Sequence, residues 1–117
     1  MGLNRSTVDA VFIVDDAFMA SLSDAFIQLG AKARLPIVFA HKASAKKGVF
    51  LSYAVDHAEL FRHAAVYVDK ILKGAKPGDL PIEQPTKFEL VINLKTAGKL
   101  GLKVPQSILQ RADEVVR

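Results

Sequence analysis

Apolar residues in this chain change their period along its length, from short dense runs to longer stretches at helical spacing, and each change marks an element. Val8 to Val14 is nearly all apolar and β-branched or aromatic, the pattern of a strand covered on both faces. Phe18, Leu22, Phe26 and Leu29 then recur at helical spacing, with Asp15 or Asp16 as N-cap and Gly30 as a left-handed stop, so the first strand is followed by a helix. Pro36 to Ala40 and Val49 to Tyr53 predict two further short strands. The lysine-rich link between them, His41 to Gly48, is short for a crossover helix and leaves room for about one helical turn.

The strongest periodicity runs from about His57 to Lys73, where Leu60, Phe61, Ala64, Ala65, Val68, Ile71 and Leu72 form one stripe. Asp56 is a natural N-cap, and Glu59 stands at the capping-box position. Burying each large side chain of such a stripe stabilises by about 1.5–3 kcal/mol, so a Val68→Asp change is expected to be severe. Gly74, Pro77, Gly78, Pro81 and Pro85 end that helix and hold an irregular connector, because proline fixes φ and disfavours helix in the residue before it. Phe88 to Leu94 predicts the last strand, and the stretch from Asn93 to Ala97 opens a short helix that Gly101 closes. Pro105 starts a final helix presenting Ile108, Leu109, Ala112, Val115 and Val116 on one face. Alternating strands and helices predict an α/β fold, a parallel sheet flanked by helices, as a single unit over residues 1–117.

Composition narrows the function. A hydrophobic content of 50% in 117 residues excludes disorder and supports one core. The longest uninterrupted apolar run, Ala10 to Val14, has only strand length, so no membrane insertion is expected. Met1 to Asp9 is polar and lacks the apolar run of a signal peptide, an expectation of cytoplasmic location if Met1 is the true start. The absence of cysteine excludes disulfides, thiolate nucleophiles and zinc–thiolate sites. The net charge of +4 is spread along the chain. Its densest group, Lys42, Lys46 and Lys47, has no aromatic residue within it to stack a base, so no nucleic-acid partner is expected.

The run "ILKGAKPGDLPIEQPTKFELVINLKTAGKLGLKVPQSILQRADEVV", together with "GVFLSYAVD" upstream, resembles the C-terminal end of bacterial ABC-transporter substrate-binding proteins, in the family that binds aromatic amino acids and similar small solutes. The likeness extends from about Val8 to Val116 and matches only about the last third of a typical member. It implies a partial lobe of the type I periplasmic-binding-protein fold, in which two α/β lobes joined by three crossings close on a solute. The implied partners are a small-molecule solute and an ABC permease, and the implied location is periplasmic. "SYAVD" would lie near a crossing, with the following helix packed on the other lobe. Surface left uncovered in such a piece leads us to expect a homodimer.

Candidate chemistry lies where strands end, since ligands of open α/β sheets bind at the carboxyl edge. The loop Asp15-Asp16-Ala17-Phe18 follows the first strand, and a carboxylate there can pair with an ammonium group while capping the helix accounts for the other. Ser52 and Tyr53 end the third strand, where a hydroxyl can bind a carboxylate and a ring can stack on the solute. The family usually has glycine after this tyrosine, but Ala54 stands here. Tyr53 reads equally as a half-buried core aromatic.

Other chemistries find less support. "VFIVDD" also resembles the start of a phosphoacceptor receiver domain, yet no later strand ends in the acceptor aspartate. His41, His57 and His63 read as surface or capping residues, since the spacing of the last two separates them on a helix and no metal set is completed. "FLSYA" lacks the glycines of a nucleophile elbow, and "GAKPGD" lacks the end of a phosphate loop. We therefore expect no catalytic residue, no cofactor and no metal, and a solute-binding component of a transporter. A standalone dimerisation module is the alternative.

Overall fold

The computed structural model describes residues 2–117, so the reading of Met1 as a chain start lies outside the described residues. The strands are β1 (Val11–Ile13), β2 (Ile37–Phe39), β3 (Leu51–Val55), β4 (Phe88–Asn93) and β5 (Glu114–Val116), and they form one sheet in sequence order. The helices are α1 (Ala17–Ser21), α2 (Ser23–Ala33), α3 (Lys42–Lys47), α4 (His57–Leu72), α5 (Leu94–Leu100) and α6 (Gln106–Leu109), with a 3-10 turn at Pro77–Asp79. This is the α/β arrangement that the alternating periods predict.

The pairs β1–β2, β2–β3 and β4–β5 are parallel. At the seam between β3 and β4 the direction reverses. Asn93 N–H donates to the Phe50 carbonyl at 2.9 Å, and Asp56 N–H donates to the Lys87 carbonyl at 3.1 Å, so numbers rise along one strand as they fall along the other. The parallel sheet expected from the sequence thus holds on each side of one antiparallel seam, made where the chain leaves the sheet after β3 and comes straight back through β4.

The chain divides into two compact units, and each has its own character. The first runs to Ala54 and resumes at Glu89. Its core is Ile13, Ile37, Phe39, Ala45, Val49 and Val91, with Phe26 and Ile27 of α2 packed against it. The Phe26 and Phe39 rings meet edge-on at 6.2 Å, a favoured aromatic geometry. Asn93, buried at the end of β4, ties several elements together. Its Oδ1 accepts from Thr96 N–H at 3.0 Å, capping α5, and its Nδ2 donates to the Ala45 carbonyl of α3 at 2.8 Å. At the other end of the chain, Arg5 donates to the carbonyls of Arg34 and Leu100 at 2.7 and 3.0 Å, placing a cation at the C-terminal ends of α2 and α5.

Several expectations are corrected here. β1 is an edge strand with Phe12 and Val14 exposed, not a strand covered on both faces. The first predicted helix is two, α1 and α2, joined at Leu22. Gly30 is not the stop. It lies inside α2, where a Cβ would come within 2.6 Å of Ile37 Cγ1, so glycine is required by the close approach to β2. The left-handed cap is Arg34, at φ 54°. The last predicted helix ends at Leu109, and Glu114–Val116 pair with β4 instead. The reason is pairing with a distant strand: Asp113 exchanges hydrogen bonds with Leu90, accepting at 2.7 Å and donating at 2.9 Å, which seats the β-branched pair Val115–Val116 in the sheet.

The second unit, Val55–Phe88, contains α4 and the proline-rich connector. Asp56 caps α4 by accepting from Glu59 N–H at 3.1 Å, as its position predicts. The reciprocal half of a capping box is not made, because the Glu59 carboxylate turns to Arg62 and His63. No residue of α4 is buried, and its stripe includes Phe61 at 75% and Val68 at 55% exposure. In this chain the stripe is therefore not a core face, and the expected severity of Val68→Asp is withdrawn. Urea unfolding should show Val68→Asp within about 0.5 kcal/mol of the parent. Asn93→Ala, which removes a cap and strands the buried Ala45 carbonyl, should cost about 2–3 kcal/mol.

Candidate functional site

In the first unit the strands β1, β2 and β3 run parallel, so the loops after them gather at one carboxyl edge. The loop from Val14 to Asp16 follows β1 and leads into α1, and the turn Ala40–Lys42 follows β2; β3 runs on to Val55, so Ser52 and Tyr53 lie within the strand and do not end it as expected. Of the five residues predicted from the sequence, the structure puts Asp15 and Asp16 on the first of these loops and Phe18 in the first turn of α1.

The two aspartates divide their work as their positions allow. Asp16 caps α1, its Oδ1 accepting from Met19 N–H at 2.7 Å. Asp15 is half-buried, and its Oδ1 lies 3.5 Å from His41 Nδ1, an ion-pair distance when the imidazole is protonated. His41 in turn leans on the Phe39 ring, with centroids 5.9 Å apart. Beside it Lys42 Nζ meets Glu89 Oε1 at 2.9 Å, tying the turn after β2 to the start of β4. The edge thus carries acidic and basic groups interleaved.

Phe18 is 67% exposed and Tyr53 53% exposed. Tyr53 is not the half-buried core aromatic that the sequence left open. Ser52 is placed differently. The pairing of Val38 with Leu51 puts Ser52 on the same face as Phe39, where it is fully buried, and its Oγ has no hydrogen-bond partner among the described residues. It lies beneath the edge, in the sheet interior.

The sequence reading missed His41, which it took for a surface or capping residue. The signal was present: "IVFA-His41" ends a strand as "FIV-Asp15" does, and the same topology rule applies to both. What periodicity cannot give is that adjacent parallel strands bring the two loops together. Two cavities are present elsewhere. One of about 260 Å³ in the first unit is lined by Leu35, Ile37, Val49 and Phe50 at the opposite ends of the strands. Another of about 430 Å³ lies wholly in the second unit, and neither includes Asp15, Phe18 or Tyr53.

Comparison with known proteins bears on the family and the fold. Residues 3–116 match the model of the family described as "ABC transporter substrate binding protein". Among solved structures, a conserved domain protein from Vibrio cholerae O1 biovar El Tor superposes with a TM-score of 0.88 at 28% identity, over 93% of this chain and 37% of that one. An ABC domain from Streptococcus pneumonia, solved in complex with L-Trp, superposes with a TM-score of 0.86 at 31% identity, over 95% of this chain and 38% of that one. The tyrosine-binding protein of Clostridioides difficile (strain R20291) is 21% identical over 96 residues, which are 82% of this chain and 28% of that protein. This chain therefore spans 37% and 38% of the two solved structures and 28% of the tyrosine-binding protein. It belongs to the ABC transporter substrate-binding protein family, a family of solute-binding proteins and not of enzymes. The receiver-like alternative loses its support, since the match extends across "VFIVDD" and the rest of the fold.

The buried Ser52 hydroxyl generates a test. Replacing Ser52 by Ala removes an unsatisfied polar group from the interior and should raise stability by about 1 kcal/mol, read as a higher urea midpoint at unchanged slope. A loss of stability would show that the hydroxyl has a partner.

Proposed function

We propose that the carboxyl edge of this sheet is one wall of a solute cleft in a transporter's binding protein, and that it takes an amino acid with an apolar or aromatic side chain. The observation that carries this reading is the half-buried Asp15 carboxylate in the loop after β1, followed by the exposed Phe18 in the first turn of α1, with the exposed Tyr53 on β3 of the same sheet. A solute ammonium group pairs with the Asp15 carboxylate, and its side chain stacks on the rings. Asp16 holds the loop in shape through its cap, and Ser52 lies behind Tyr53 as part of the floor. The L-Trp and tyrosine named for two relatives support the solute class.

Closure of a second lobe over this wall would exclude water and form the surface that an ABC permease recognises. The out-and-back excursion between β3 and β4 suits a crossing between lobes, because it leaves and re-enters the sheet at one seam. On this reading the protein works outside the cytoplasmic membrane, and among the described residues no helix is long and apolar enough to cross it. One wall alone supplies few contacts and little desolvation, so the affinity of the isolated chain for a solute is low.

The exposed stripe of α4 favours a second, assembly role. Phe61, Val68 and Leu72 stand exposed together with Ile82 of the connector, and a second copy of the chain would cover them. Light scattering should show dimer forming as the concentration rises. A monomer persisting at about 1 mM would overturn the homodimer, since a dissociation constant weaker than that amounts to only about 4 kcal/mol.

The solute reading is tested by nuclear magnetic resonance titration with L-tryptophan and L-tyrosine. Shifts should centre on Asp15, Phe18 and Tyr53 with a dissociation constant on the order of millimolar, and Asp15→Asn should weaken binding about tenfold. Micromolar or tighter binding by the isolated chain would overturn the one-wall argument. Shifts confined to other residues would overturn the site.

A further inference from the structure

The cavity of about 260 Å³ in the first unit lies at the amino ends of β2 and β3, away from the loops to which the solute is assigned. Its walls are apolar: Leu35, Ile37 and Val49 are buried, and Ile27 and Phe50 are half-buried beside them. The backbone donors of these walls are used within the fold. Leu35 N–H donates to the Gly30 carbonyl, those of Gly48 and Val49 donate to Ser44, and that of Phe50 donates to Ile37. Thr96 Oγ1 donates to the Gly48 carbonyl at 2.9 Å. What these groups leave for a ligand is apolar surface.

Three exposed cations, Arg34, Lys47 and Lys99, complete the lining, and among the described residues no carboxylate belongs to it. Basic residues at helix C-termini are ordinary, because they offset the partial negative charge of the last carbonyls, and α2, α3 and α5 all end here. At two of the three ends another group meets that need. Arg5, which is not part of the lining, donates to the carbonyls of Arg34 and Leu100. The side chains of Arg34 and Lys99 have no hydrogen bond or ion pair among the described residues. Lys47 Nζ lies 3.4 Å from Asp24 Oδ1, an exposed pair that holds it weakly. Arg34 also stands at φ 54°, a left-handed conformation that favours glycine, so its side chain is present at a backbone cost.

We propose that this cavity is a second ligand site, which takes a small amphiphilic monocarboxylate with its tail against the apolar walls and its carboxylate among Arg34, Lys47 and Lys99. The ligand class follows from two features together. Apolar walls penalise a ligand that is polar throughout, such as inorganic phosphate, because its buried groups would find no partners. Cations with no carboxylate in the same lining favour an anion over an alcohol or an amine carrying the same tail. The volume lies below the range of sites for drug-sized ligands, which suits a chain of about six to ten carbons. The site is independent of the solute reading, because Asp15, Phe18 and Tyr53 take no part in it.

The test is nuclear magnetic resonance titration of the whole chain with octanoate, octan-1-ol and acetate. Octanoate should shift Ile27, Val49 and Phe50 and leave Asp15 and Tyr53 in place, with a dissociation constant on the order of 1 mM or tighter. Octan-1-ol, which has the tail without the charge, should bind about tenfold more weakly. Acetate, with the charge and no tail, should leave these residues unshifted at the same concentration. Arg34→Gly separates binding from folding: glycine suits the left-handed position, so the urea midpoint should not fall, while octanoate binds about threefold more weakly. Lys99→Gln, on the exposed side of α5, should weaken octanoate by a similar factor. Equal affinity for octanoate and octan-1-ol would overturn the carboxylate site, and so would binding of acetate as tight as that of octanoate. Octanoate shifts confined to the exposed face of α4, or an affinity unchanged in both variants, would overturn it as well.

Discussion

Asn93 joins more of the first unit than any other side chain. It stands where β4 ends and α5 begins, its backbone donates to the carbonyl of Phe50 ahead of β3, its Oδ1 caps α5, and its Nδ2 satisfies a carbonyl of α3. Thr96, held at that cap, donates in turn to the Gly48 carbonyl at 2.9 Å, so the turn before β3 is fixed by the same residue pair. A buried amide is costly unless every group it offers is used, and here donor and acceptor are both occupied. The consequence reaches the candidate site. Because the β3–β4 seam and the position of α3 are set together, the loops that follow β1, β2 and β3 come to one edge in a fixed order.

That edge depends on register. Parallel pairing of β1 with β2 puts the loop that holds Asp15 at the same end of the sheet as the turn that holds His41, while Tyr53 stands in the middle of β3. A slip of one residue in β3 would bury Tyr53 and expose Ser52. The pairing also brings His41 up to Asp15, with Nδ1 3.5 Å from Oδ1, and the next residue, Lys42, pairs with Glu89.

The second unit follows a different physical rule. In the first unit apolar periodicity and burial coincide, as in α2, where Phe26 and Ile27 pack on the core. In α4 the stripe is at least as regular, yet Phe61, Val68 and Leu72 remain exposed. Such a helix is stabilised locally by its cap, by ion pairs such as Lys73–Asp69 at 2.9 Å, and by the connector tied along it. Its apolar face is a surface to be covered, which accords with a chain that spans 37% and 38% of the two solved structures.

Local patterning in the sequence determined the element types in most of the chain, the cap at Asp56, the close of α5 at Gly101 and the family to which the chain belongs, because each rests on residues near one another. It also identified the acidic loop as following the first strand, but ended the third strand at Tyr53, two residues short of Val55. Tertiary structure alone decided the rest. Val115 and Val116 fit a helical stripe and a strand equally well, and pairing with β4 chose the strand. Gly30 reads as a helix stop until the closeness of Ile37 shows why a side chain is excluded. The side of the sheet that Ser52 faces, the meeting of Asp15 with His41, and the exposure of α4 are likewise products of pairing between distant segments. Period and propensity specify what an element is. Which of its faces is covered, and by what, depends on chain that is far away in sequence.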